Sequence, residues 1–304
     1  MEFYQLEAFV MVVAHRSFSR AAQHLFLSQP TVSAHVKSLE TEICMPLFDR
    51  GKSELLLTPA GETLYRYARD MLDMRTTVLT ELSCADTMPE ESITIAASSV
   101  PCQYLLPGAV VAFQQLYPTI KINIRQENSA TACEDVFRYH YAVGIVGEKI
   151  KLPQLMYEPL VEDELVVAIP QLPAFADLVA KGCVTVEDMI MHPLLMREEG
   201  SGTRSLFEQA LQGTGTDLAA FQMQVFDNQE TIKQAVRRGL GLTVISRYVV
   251  EDYVQFGLLA ARSVTGLDLK RNFFLVTHAK RIQSPATRAF TTFIRTFFPR
   301  GDLS

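Results

Sequence analysis

Residues 15–38 read HRSFSRAAQHLFLSQPTVSAHVKS and decide how the front of this chain is built. The stretch holds no acid. Its nearest carboxylates are Glu7 and Glu40, whereas Arg16, Arg20 and Lys37 lie inside it. The whole chain carries a formal charge of −6, so an acid-free segment is a place where a polyanion can dock. The spacing predicts two short helices. Ser17 or Ser19 caps the first, which turns Ala21, Ala22 and Leu25 inward. Leu27 is expected to plug the break. Ser28 caps the second helix, and Pro30 sits in its first turn, where a missing N–H does no harm. Val32, Val36 and Leu39 form its buried stripe, and Ser28, Gln29, Thr31, Ser33, His35 and Lys37 face the other way. A solvated face usually mixes Glu with Lys, yet this one has no acid before Glu40. Short polar and cationic groups at a helix start suit base edges and phosphates in a major groove. The pair reads as a helix-turn-helix for double-stranded DNA, with Arg20, Ser28, Gln29, Pro30, Thr31, Ser33, His35 and Lys37 as contact residues.

Working outward, Phe3, Leu6, Phe9, Val10 and Val13 fall at helical spacing and predict a helix over 3–15. On the other side, MPLFDRGKSELLLTPAG (45–61) predicts a two-stranded wing, with Leu47 and Phe48 as anchors and Arg50 and Lys52 at the tip. Thr58 and Pro59 open a long helix as N-cap and first residue, running to about Cys84. Leu64, Ala68, Met71, Val78 and Leu82 make one stripe, interrupted by Arg75. A narrow apolar seam with little nearby core wants a partner helix, so two copies are expected to pair here. Residues 1–58 hold five Lys and Arg against six Asp and Glu. One head is therefore a weak general phosphate binder, and two heads joined by this helix are needed.

At 304 residues the chain exceeds one comfortable core. The division expected is a DNA-binding head at 1–58, a linker helix and hinge at 59–90, and a third part at 91–304. No apolar run approaches the ~20 residues of a membrane helix. The N-terminus lacks the charged start and small-residue cleavage site of a secretory signal, so no membrane and a cytoplasmic setting are expected. Five cysteines (44, 84, 102, 133, 183) with no CxxC, and six scattered histidines, give no reason to expect disulfides, metal or cofactor.

After the polar segment 84–92 the rhythm becomes strand–helix alternation. Strands are predicted at 93–98, 120–126, 141–147, 164–170, 193–198, 222–227, 242–246 and 271–279. Helices are predicted over 101–117, from Ser129, and over 284–298. The order implies parallel strands with right-handed crossovers. Two α/β lobes result, one at about 91–167 plus 266–300 and the other at 168–265. The chain as a whole is an α+β molecule in two parts. Ligands in such folds sit at strand ends and helix starts between lobes. The candidate residues are Ser98, Ser99 and Gln103, then Gln126 and Asn128, then Gly147. Gly200, Ser201, Gly202 and Thr203 follow, and Asn228 in DNQE (227–230). Hydroxyls flanked by glycines at a helix start bind anions. For DNQE, helix capping is the simpler reading. Glu198 and Glu199 argue against a multiply charged ligand, whereas a zwitterion would use both signs.

Residues 3–66, through FSRAAQHLFLSQPTVSAHVKSLE and PLFDRGKSELLLTPAGE, resemble the N-terminus of the LysR-type transcriptional regulators. The resemblance implies a winged helix-turn-helix, a dimerising linker helix and a periplasmic-binding-protein-like effector domain. It also implies a homodimer or homotetramer on an inverted-repeat operator, working with RNA polymerase. His35 stands where many members carry Arg. In the body, IAASSVPCQYLLP, VGIVGEKI, REEGSGTR, DNQETIKQAVRRGLG and ISRYVVED look like members tied to sulfur or selenium metabolism. That implies an inorganic sulfur oxyanion or an O-acetylserine-type effector. RYHYAVGIVG departs from the family, placing Arg138, Tyr139 and His140 where an acidic turn is common. This departure is expected to alter the lobe-one pocket rim.

Two other readings compete. An enzyme on the two-lobed fold finds no GxSxG, Walker or GxGxxG motif and no metal triad in its favour. A thiol switch would use Cys102, whose position at a helix start would lower its pKa.

Overall fold

The computed structural model describes residues 1–49, 55–82 and 91–298. The head is three helices, α1 (Phe3–His15), α2 (Phe18–His24) and α3 (Gln29–Glu42). Ser17 Oγ accepts the Arg20 N–H at 3.3 Å and so caps α2. Ser28 Oγ does the same for Thr31 at the start of α3. Leu6, Phe9, Ala21, Ala22, Val32, Val36 and Leu39 form one core with Leu47 and Phe48. Leu27 does not plug the break. It is 43% exposed, and Leu25 packs on the core instead. The backbone turns through the left-handed region at Phe26 (φ 55°), which throws Phe26 and Leu27 outward. Phe48 bridges Leu57 antiparallel at the base of the expected wing, while the tip with Arg50 and Lys52 lies outside the described residues.

Helix α4 spans Pro59–Leu82. Thr58 Oγ1 accepts the Gly61 N–H and donates to the Pro46 carbonyl, so one hydroxyl both caps α4 and ties it to the head. The predicted stripe splits in two. Tyr65 and Ala68 are buried, and Leu64 and Met71 pack on the head core, whereas Val78 and Leu82 are exposed together with Leu79.

The body begins with β1 (Glu91–Ala97), a π-turn at Pro101–Leu105, α5 (Leu106–Leu116), β2 (Ile120–Gln126), α6 (Ser129–Phe137), β3 (Val143–Val146) and β4 (Leu155–Pro170). Next come α7 (Ala176–Ala180), β5 (Cys183–Val184), α8 (Val186–Ile190), β6 (Leu194–Arg197), α9 (Gly202–Gln212), β7 (Met223–Phe226) and α10 (Gln229–Arg237). The chain closes with β8 (Leu242–Ser246), α11 (Arg247–Gln255), β9 (Leu259–Val264), β10 (Lys270–His278) and α12 (Pro285–Phe297). Strand order is β2-β1-β3-β10-β4-β8-β6-β7, with β9 on β4 and β5 on β9. β1, β2 and β3 run parallel, as do β6, β7 and β8.

The strand that joins the lobes is β4. It pairs with β10 from Leu155 to Glu164, then with β8 and β9 from Leu165 to Pro170. The sequence predicts only its second half, where ELVVAIP is buried on both faces. The first half, LMYEPLVED, has no clean alternation and carries Pro159, so no strand is predicted there. One core surrounds Ile95, Phe113, Ile145 and Phe290 in the first lobe. Another surrounds Val167, Met196, Phe207 and Val244 in the second.

Candidate functional site

The start of α3 is the first candidate surface. Ser28, Gln29, Pro30 and Lys37 are exposed there, and Thr31, Ser33 and His35 are half-buried. Gln29 Nε2 donates to Ser33 Oγ at 3.0 Å, and Ser28 Oγ lies 2.7 Å from Thr31 Oγ1. These bonds are local and can be exchanged for bonds to bases. The His35 ring rests on Tyr4 of α1, with centroids 4.8 Å apart. Arg20 is exposed on α2.

The cleft between the lobes is the second. Its wall combines Ser98, Ser99 and Val100 after β1, Asn128 and Ser129 at the start of α6, and Gly147 after β3. Ser201, Gly202 and Thr203 at the start of α9 complete it, with Arg197, Arg271 and Phe273. The space between these groups is small, about 30 Å³. The starts of α6 and α9 open onto it, so backbone N–H groups and helix dipoles favour negative charge there. Asn128 spends its carbonyl oxygen on the Thr131 N–H at 2.8 Å. Ser201, by contrast, is the N-cap residue of α9 but makes no side-chain cap bond, which leaves its hydroxyl available to a ligand.

Two arginines dominate the chemistry. Arg197, from β6 in the second lobe, grips Glu198 through Nε (2.7 Å) and Nη2 (2.8 Å). Its Nη1 and Nη2 also reach Ser99 Oγ in the first lobe at 3.5 Å, a weak bond across the cleft. Arg271 on β10 stands opposite Asp163 on β4 in the strand register, with Nε 2.9 Å from Oδ2. Asp163 Oδ1 accepts from Ser246 Oγ at 2.7 Å. Both charges are buried. Burial pushes the Asp163 carboxyl up against the pull of Arg271, and it pushes Arg271 down against the pull of Asp163. A Cβ on Gly147 would stand 3.3 Å from Arg271 Nη1 and 3.0 Å from the Phe273 ring, so glycine keeps room for that guanidinium.

A family model described as the LysR substrate binding domain matches residues 87–299. A second, the bacterial regulatory helix-turn-helix protein of the lysR family, matches residues 3–62. The chain belongs to the LysR family of transcriptional regulators.

Among relatives of this LysR-type regulator, the uncharacterized HTH-type transcriptional regulator YeiE of Escherichia coli is 33% identical over 94% of both chains. A probable RuBisCO transcriptional regulator of Cyanidioschyzon merolae is 30% identical, over 94% of this chain and 95% of that one. CysL of Bacillus subtilis is 29% identical over 88% of this chain and 87% of its own. Full-length OxyR from Pseudomonas aeruginosa superposes with a TM-score of 0.77 at 22% identity, covering 97% of this chain and 95% of that one. CbnR complexed with its target DNA gives 0.60 at 19%, covering 97% and 99%. The regulatory domain of CcmR from Synechocystis, in complex with 2-PG, gives 0.62 at 21%, covering 69% and 98%. The family is one of DNA-binding transcriptional regulators rather than enzymes, and the fold is theirs throughout.

Not every residue singled out in the regulator's sequence reaches the cleft. Ser98, Ser99, Asn128, Gly147, Ser201, Gly202 and Thr203 line it. Gly200 adopts a left-handed φ of 83° beside that wall. Gln103 and Gln126 sit outside. Gln103 Nε2 donates to Gln126, and Gln229 Nε2 donates to Gln103, both at 2.8 Å. The three amides form a chain from β2 to α10 that ties the lobes together. Asn228 caps α10, with its Oδ1 accepting from Glu230 and Thr231. Ser129, which follows Asn128 in the same predicted loop, lines the cleft as well, whereas Arg197, Arg271, Val100 and Phe273 were not anticipated. The signal for Arg197 was its place at the end of a predicted strand. Arg271 needed the β4–β10 register.

Two further expectations are corrected. The Arg138–His140 stretch does not shape the cleft rim. Tyr139 (φ 67°) is buried with the head core, and His140 sits beside Tyr65 of α4. Cys102 does not gain acidity from its helix start. It packs against the first-lobe core, and burial pushes its thiol up.

Two histidines are expected to make this regulator's stability acid-sensitive. Burial, then His24 and Arg20, hold His15 below its usual 6.5. Burial, then Arg281, Arg66 and Lys280, do the same for His278. A depressed pKa stabilises the fold above the unfolded value, and that stability is lost as pH falls through the folded value. The denaturant midpoint is therefore expected to drop between about pH 7.5 and about pH 6. The measurement is urea unfolding at both pH values, with His15→Gln and His278→Gln flattening the difference. An unchanged midpoint in the wild type would refute it.

Proposed function

We propose that this LysR-type regulator is a cytoplasmic homodimer or homotetramer controlled by a small anion or zwitterion in the interlobe cleft. The observation that carries the reading is Arg197 of the second lobe reaching Ser99 of the first beside two helix starts. A ligand bridging those groups binds the closed lobes better than open ones, and only such differential affinity shifts the equilibrium. The head at 1–58 and the linker at 59–90 then carry lobe geometry to two half-sites of an inverted repeat, where RNA polymerase is engaged. The exposed Val78, Leu79 and Leu82 of α4 suit the partner copy. The cleft volume favours a few-atom oxyanion, and the body motifs favour sulfur or selenium metabolism. The low-identity CcmR fold, solved with 2-PG, is in keeping with a small-anion effector.

The test uses sulfite, sulfate and O-acetylserine as probes in calorimetric titrations of the full chain. One of them is expected to bind, and Ser201→Ala with Thr203→Val to weaken it about tenfold or more, since each bond to a charged ligand is worth about 1.5–3 kcal/mol. No binding by any probe sinks the effector class. On the DNA side, Gln29→Ala is expected to cost about 1–3 kcal/mol of discrimination between operator and random DNA. Lys37→Ala should weaken both alike and reduce the salt slope by about one. Electrophoretic mobility shifts at several salt concentrations separate the two. Equal losses on both DNAs for Gln29→Ala would remove it from base readout.

A further inference from the structure

A second and larger cavity, of about 630 Å³, lies between the head and the first lobe. The end of α1, one side of α4, the β1–β2 edge and α6 surround it. Its acids are mostly occupied. Asp73 faces Arg281, Asp135 faces His140 at 2.9 Å, and Glu91 accepts from the Ser284 hydroxyl and the Ala286 N–H. Its arginines are less committed, although Arg69 lies near enough to Asp73 to pull that carboxyl down. Arg16, Arg69 and Arg125 line the cavity and, among the described residues, none makes a side-chain hydrogen bond or ion pair.

A second observation points the same way. Among the described residues, three buried side-chain nitrogens or oxygens lack a hydrogen-bond partner: Arg69 Nε, Arg281 Nε and Arg281 Nη2. Arg69 lines the cavity, and Arg281 stands behind its wall. Arg281 is 6% exposed and sits directly behind the lining Asp73. Arg281 is held by Asp73 and by the Tyr139 carbonyl, which leaves Arg69 Nε as the buried lining donor without a hydrogen bond, a kind of group that is uncommon and calls for an acceptor. Glu127 is the one lining carboxylate without a side-chain hydrogen bond or ion pair among the described residues, which leaves it able to accept from a hydroxyl or amine.

We propose that this cavity is a ligand site separate from the interlobe cleft, for a phosphorylated, hydroxyl-bearing metabolite. Guanidinium forks match phosphate oxygens, Glu127 takes a hydroxyl, and the volume falls in the range of small-molecule sites. Arg16 belongs to the head, Arg69 to the linker helix and Arg125 to the effector domain. Occupancy therefore joins all three parts and favours the docked head.

The experiment is calorimetric titration of the full chain with ribose 5-phosphate and, as a bare anion, inorganic pyrophosphate. Saturable binding at one site per chain is expected for both. Arg69→Gln and Arg125→Gln should each weaken it at least tenfold. Arg125 is exposed, so its variant keeps the fold, and thermal melting without ligand checks both. Glu127→Gln should weaken ribose 5-phosphate and leave pyrophosphate unweakened. The cleft variant Ser201→Ala with Thr203→Val should bind both probes as the wild type does. No saturable binding by either probe overturns the proposal. So does unchanged binding in both arginine variants, or loss of binding in the cleft variant.

Discussion

Replacing Arg271 by Met is expected to cost the effector domain about 3–5 kcal/mol, because it strands a buried carboxylate. Asp163 is fully buried by side chain and opposes Arg271 across the β4–β10 pair. Without the guanidinium, Ser246 is the remaining side chain that bonds it. Burial already raises the Asp163 pKa, and the loss of Arg271 raises it further. The variant should thus regain more stability than the wild type as pH falls through the raised Asp163 value. Adding Asp163→Asn should recover much of the loss, since an uncharged amide needs no counter-charge. Urea denaturation of the single and double variants measures this. A single-variant loss below about 1 kcal/mol would mean that the ion pair only breaks even with its desolvation. The same variant removes one of two arginines from the cleft, so anion binding should fall even under conditions where the fold holds.

Phe9→Ala is expected to cost the head about 3–5 kcal/mol and to abolish operator binding at a concentration where the wild type is saturated. The Phe9 side chain is 0% exposed. Its ring meets Phe48 edge-on at 5.6 Å and Tyr65 at 6.4 Å. One ring thereby fastens α1 to the wing base and to the linker helix, and the cavity left by alanine would loosen all three. Phe26→Ala is the control. That ring is 95% exposed, so stability should move by no more than about 0.5 kcal/mol. Denaturation monitored by helix content, together with mobility shifts, reads both variants. Equal stability of the two would refute the packing argument.

Much of the head was legible because its signals are short-range. Ser28 with Pro30 fixes the start of α3, and the apolar residues at 3, 6, 9, 10 and 13 fix α1. The β2 and β8 bounds follow from alternation in IKINIRQ and from the buried run LTVIS. Leu27 was misread because a single left-handed residue, Phe26, inverts the direction of the next side chain, and Phe carries no signal for that turn. The cleft was half legible. Hydroxyls flanked by glycines at a helix start between two lobes announce an anion site. Arg197 and Arg271 announce nothing by themselves, since an arginine in a strand is usually a solvated edge residue. The same holds for the Arg138–His140 stretch, whose partners Tyr65 and Arg281 lie far along the chain.

What the sequence alone determined is the set of local commitments. These are the caps, the helical and strand periods, the acid-free face of α3 and the two-lobed alternation, each decided by neighbours within a few residues. What only the tertiary structure decided is where distant charges meet. Ser99 with Arg197, Asp163 with Arg271 and Asp73 with Arg281 are separated by 98, 108 and 208 positions. Their pairing depends on sheet register and on docking of the head, and the energy that fixes them comes from burial rather than from local conformation.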